Sequence, residues 1–70
     1  MMNKSLLRSK MAQYNDRQED LASALGISLS RLNAKINETG GAEFRQNEIA
    51  LIKDRYALMP GEVDAIFFAS

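Results

Sequence analysis

An all-α domain of five short helices is what this sequence predicts, and three observations predict it. Apolar residues recur at intervals of three and four, no segment sustains the period-two alternation of a half-buried strand, and the single Pro lies late, at position 60. Seventy residues allow one core, since a chain of that length buries only about 60% of its unfolded surface. Residues 1–70 are therefore expected to form a single compact domain. A hydrophobic share of 46% with 26% charged is the composition of a folding chain, not a disordered one.

The first helix is expected from Asn3, as N-cap, to about Tyr14, with Leu7, Met11 and Tyr14 at i, i+4 and i+7 on one apolar stripe. Asn15 and Asp16 end it. The second opens with Asp16 and Glu19 spaced as a D-x-x-E capping box, turns Leu21, Ala22 and Leu25 inward, and breaks at Gly26. Ser28 is a natural N-cap for a third helix that continues to about Asn37, followed by a Thr39-Gly40-Gly41 loop. A fourth, roughly Arg45 to Tyr56, places Ile49, Ile52 and Tyr56 on one side with Leu51 flanking them. Pro60 begins the fifth, where Pro at the first position and Glu62 in the first turn are both favourable, and Val63, Ile66 and Phe67 form its buried face.

Within this frame the segment Gln18 to Asn37, QEDLASALGISLSRLNAKIN, has the residue types that a helix-turn-helix requires. Such a unit needs a small residue where its helices touch, a turn residue free of side-chain clash, and apolar residues that lock the second helix down. Ala22, Gly26 and the set Leu21, Leu25, Ile27, Leu32 and Ile36 supply these in turn.

Rotating each residue of the third helix by about 100° gathers Leu32 and Ile36 on the inner side, with Leu29 at its edge. The outer side then carries Ser30, Asn33, Ala34 and Asn37, an uncharged strip of small groups and amides. An Asn amide pairs with the N6 donor and N7 acceptor of adenine, a Ser hydroxyl gives or takes one hydrogen bond, and an Ala methyl meets that of thymine. Asn and Ser also occur on ordinary solvated helix faces, but both are weak helix formers, so two Asn in one short helix point to a return other than stability. Leu29 has two open roles, closing the core beside Ile36 or meeting a thymine methyl, with partial exposure expected. Arg31 and Lys35 fall to one side of the strip, where phosphates would run. Arg17 and Arg45 each open a helix, an unfavourable place for a cation unless an anion approaches, although Arg45 equally suits a plain surface charge. Gln18 is either a phosphate donor at its helix N-terminus or an exposed first-turn residue.

The chain has no net charge, which opposes nucleic-acid binding in the mean, but the charge is divided. Residues 1–35 set Lys4, Arg8, Lys10, Arg17, Arg31 and Lys35 against Asp16, Glu19 and Asp20, a net of +3, and the remainder carries −3. The positive half holds the helix-turn-helix. Without Cys or His, and with scattered acids and only Gly40-Gly41 as a glycine pair, an enzyme, a metal centre, a cofactor or a small-molecule ligand is not expected. The absence of Cys, of an apolar run of about 18 residues and of a signal-like N-terminus points to the cytoplasm, away from membranes.

The segment resembles the helix-turn-helix of phage Cro and repressor proteins, of the xenobiotic-response-element type, on Gln18, Leu21, Ala22, Gly26, Ile27, Leu32 and Ile36. The five-helix order extends the resemblance over almost the whole chain. It implies that Gln18 anchors a phosphate, that Ser28, Leu29, Ser30, Asn33 and Ala34 meet the major groove, and that the start of the fourth helix touches backbone. It also implies a homodimer on a pseudo-palindromic operator in double-stranded DNA. Two positions depart from the pattern: Arg17 stands where relatives often carry Ser, Thr or Asn, and Leu29 replaces a Gln that would contact adenine.

The expected function is thus a sequence-specific transcriptional regulator of phage or prophage origin that blocks polymerase by occupying an operator. The alternative is a protein-interaction module, an antirepressor or antitoxin component, for which zero net charge is no handicap. Ile66, Phe67 and Phe68 are consecutive, so one helix cannot bury all three against its own core. This tail is the expected dimer interface, with Phe68 either reaching the partner or covering the first helix.

Overall fold

Local capping chemistry sets out five helices among the described residues: α1 Lys4–Gln13, α2 Gln18–Leu25, α3 Leu29–Asn37, α4 Gln46–Arg55 and α5 Pro60–Phe67. The computed structural model describes residues 2–68. The Asn3 side chain accepts the Leu6 N–H at 3.1 Å to start α1, and Ser28 Oγ accepts the Arg31 N–H at 3.1 Å to start α3. Pro60 is the first residue of α5, where its missing N–H loses no helical bond. A single 3₁₀ turn, Thr39–Gly41, links α3 towards α4.

Three helices end in the same way. After α1, α2 and α4 one residue turns left-handed, and the next N–H reaches back to a carbonyl five residues earlier: Asp16 to Met11 at 2.9 Å, Ile27 to Ala22 at 3.0 Å, and Leu58 to Lys53 at 2.9 Å. The left-handed residues are Asn15, Gly26 and Ala57. Gly26, at φ +71°, adopts this conformation without strain and makes the sharp turn from α2 into α3.

One apolar cluster draws on every helix. Leu7 and Met11 of α1 meet Leu21 and Ala22 of α2, Leu32 and Ile36 of α3, Ile52 of α4, and Ile66 and Phe67 of α5, with Tyr56 and Leu58 sealing the turn between α4 and α5. Ala22 lies buried in α2, and α2 and α3 are the most extensively apposed pair of helices. Phe44 brings the loop before α4 onto this core, edge-on to Phe67 with centroids 5.6 Å apart.

Two local expectations are corrected. Asp16 does not cap α2: the N-cap is Arg17, whose backbone N–H is accepted by Asp20 at 3.0 Å, while Asp16 is taken by Arg55 and Tyr56. Tyr14 is not buried in the α1 stripe. It is the C-cap of α1, half exposed, and leans on Tyr56 at 5.5 Å.

Candidate nucleic-acid interface

The inner side of α3 is sealed by Leu32 and Ile36, so its outer strip is turned to solvent. Ser28 and Ser30 are exposed, Asn33 and Ala34 are half-buried, and Leu29 is 41% exposed at the head of the helix. Among the described residues nothing bonds the Asn33 side-chain amide, which is left with a free donor and a free acceptor. Asn37 differs. Its Nδ2 donates to the Asn33 carbonyl at 3.0 Å and its Oδ1 accepts from Lys4 Nζ at 3.1 Å, so its amide is already engaged and α1 reaches the end of the strip.

Flanking cations are supplied from the loop side. Arg31, Ala34, Ala42, Glu43 and Arg45 border a groove of about 240 Å³ beside the strip, with Lys35 at its base. Arg31 and Arg45 are exposed, and among the described residues neither has a carboxylate within ion-pair distance, nor has Arg17. Glu43 is the opposing charge in this groove.

Two helix N-termini share one construction. Arg17-Gln18-Glu19-Asp20 starts α2 and Arg45-Gln46-Asn47-Glu48 starts α4: Arg is the N-cap, Gln the first helical residue, and the acid at the third position accepts the Arg N–H, at 3.0 Å from Asp20 and 2.7 Å from Glu48. An Arg side chain cannot accept a hydrogen bond, so the first-turn N–H groups of both helices have no side-chain cap. An arginine beside uncapped N–H groups suits an anion, and Gln18 lies half-buried at one such end.

Lys35 is not among the free cations, which corrects the expectation that it lies beside a phosphate. It is 6% exposed, and its Nζ sits 2.7 Å from Glu48 Oε1 and donates to the Glu43 carbonyl at 3.3 Å. Burial pushes the Glu48 carboxyl up, but the Arg45 N–H and the Lys35 ammonium together hold it below its ordinary value. Lys35 lies one position beyond Ala34, and the helical angle alone does not reveal a partner thirteen residues away.

The tail is also divided. Ile66 and Phe67 are buried in the core and are not available to a partner, a correction to the three-residue interface, whereas Phe68 is 60% exposed. It edges a groove of about 220 Å³ with Met2, Phe44, Ile49 and Phe67. No helix among the described residues is long and apolar enough to cross a membrane.

Comparison with protein-family models, with curated proteins and with solved structures finds no match. What this surface can do rests on its own chemistry: an uncharged hydrogen-bonding strip with Arg31 and Arg45, which have no ion-pair partner among the described residues, and the uncapped start of α4 beside it.

Proposed function

We propose that the chain is a sequence-specific double-stranded-DNA-binding regulator of the Cro/repressor type, of phage or prophage origin, which acts in the cytoplasm by occupying an operator. The observation that carries this reading is the partly exposed strip Ser30–Asn33–Ala34 beside Arg31 and Arg45, neither of which has an ion-pair partner among the described residues. In the proposed complex α3 lies in the major groove, with Ser28, Leu29, Ser30, Asn33 and Ala34 at base edges. Arg31, Arg45, Arg17 and Gln18, with the open ends of α2 and α4, hold phosphates and fix the register. Asn37 sets the end of the strip through Lys4. A homodimer places two such helices on two half-sites, with Phe68 as the contact between copies, and no catalytic step is involved.

Selection of bound fragments from a random DNA pool, followed by anisotropy titration of the winning site from 50 to 200 mM salt, tests this reading. Enrichment of one motif, with affinity falling steeply as salt rises, is the expected result. Salt-insensitive pairing with a protein and no DNA affinity would favour the interaction-module alternative.

A further inference from the structure

We infer that the buried Lys35–Glu48 pair is a positioning device that fixes the outward strip of α3 relative to the arginine heading α4, and so governs discrimination between DNA sequences more than overall affinity. This rests on the DNA-binding reading above. The pair is the meeting point of three segments. Lys35 comes from α3, Glu48 from the first turn of α4, and the ammonium also bonds the Glu43 carbonyl in the intervening loop. The same Glu48 oxygen that takes the ammonium accepts the Arg45 N–H at 2.7 Å, so one carboxylate holds both the reading helix and the residue whose guanidinium faces the groove. Among the described residues this is the one polar contact between α3 and α4.

The chemistry of the pair suits placement. Both side chains are 7% exposed, and a desolvated ion pair adds little stability over an apolar pair of the same volume. Its selectivity for partners is greater, because the ammonium needs the Glu48 carboxylate and the Glu43 carbonyl both at hydrogen-bonding distance, 2.7 and 3.3 Å, a requirement that an apolar pair does not impose. Arg31 lies one turn before Lys35 on α3, and Arg45, the N-cap of α4, lines the same groove. A shift at the pair therefore changes the Arg31–Arg45 spacing, and with it the register of phosphate contacts against Asn33 and Ala34.

The test uses two variants that disturb the pair by different means. Lys35→Met with Glu48→Gln removes both charges and keeps an acceptor for the Arg45 N–H. Glu48→Asp keeps the charge and shortens its reach, and it carries the test if the double variant does not fold. Each is titrated with the selected site and with random-sequence duplex across a salt series, alongside Arg31→Ala. The preference for the selected site over random duplex is expected to fall at least tenfold in both variants, with binding to random duplex and its salt slope unchanged. Arg31→Ala should flatten the slope by about 0.9, the signature of one lost phosphate contact. An unchanged preference would reduce the pair to core packing, and a slope flattened as in Arg31→Ala would make Lys35 a direct phosphate contact; either overturns the inference. Wild-type protein without DNA affinity would instead fail at the first titration and remove the functional reading together with this one.

Discussion

The Arg55 guanidinium clasps the Asp16 carboxylate with two bonds of 2.7 Å, Nε to Oδ2 and Nη2 to Oδ1, across 39 residues of sequence. The Tyr56 hydroxyl donates to the same carboxylate. Together they tie the turn between α1 and α2 to the end of α4, and so hold the start of α2, with Arg17 and Gln18, against the body of the domain. The Arg55 bonds hold Asp16 below its ordinary value against the opposing effect of burial, with help from Tyr56. Tyr56 is pushed up, first by burial and then by its bond to Asp16.

Acid should therefore loosen this end of the molecule. Asp16 and Glu48 both have lowered values, so their contributions are complete above the unfolded carboxyl range, about pH 4, and are lost as pH falls through the folded values. Tyr56 works at the other limit: its stabilisation is complete below about pH 10 and is lost as pH rises through its raised value. Urea denaturation from pH 2 to 8 should show a decline below about pH 4. Asp16→Asn should lower stability at pH 7 by about 1.5–3 kcal/mol, the range for a hydrogen bond to a charged group, and make the acid limb shallower. An acid limb identical to that of the wild type would remove Asp16 from it.

Ala57 follows α4 at φ +50°, a conformation that strains a residue with a Cβ. Ala57→Gly relieves the strain at some entropic loss in the unfolded chain. A net gain of about 0.5–1 kcal/mol is expected, and the melting temperature should rise by a few degrees. A lower melting temperature would show that the turn is not held as described.

Phe68→Asp should shift sedimentation towards monomer without lowering the melting temperature, because this ring is 60% exposed while Phe67 beside it is buried. Equal association of the two proteins would locate the contact between copies elsewhere.

Much of this fold is legible in the sequence wherever one local interaction decides the outcome. Asn3, Ser28, Gly26 and Pro60 each act within one turn of chain, and each does what its residue type suggests. Legibility fails where a side chain has a choice between a local and a distant partner. Asp16 has the spacing of a cap but is claimed by Arg55, which no local rule brings near it. Lys35 has the angle of a surface residue, yet Glu48 draws it inside. Two signals were available for Glu48: the repeated Arg-Gln-x-acid pattern at 17–20 and 45–48, and its place at the third position of a helix whose N-cap cannot accept a bond. Leu58 lies beyond the periodic run of α4 and is buried only because the chain closes back on Lys53.

Asn37 sharpens the expectation for the strip, because its amide is held by Lys4 and by the Asn33 carbonyl. On the selected site Asn37→Ala should cost less than Asn33→Ala, whose amide bonds nothing among the described residues. Anisotropy titrations showing the reverse order would place the reading end of α3 at its C-terminus.

Asn33→Ala, titrated against the selected site and against random duplex in the same buffer, tests the proposed reading face most directly. Loss of about 1–3 kcal/mol on the selected site, with binding to random duplex unchanged and the helical spectrum intact, is the predicted result. Equal loss on both DNAs, or none on either, would contradict it.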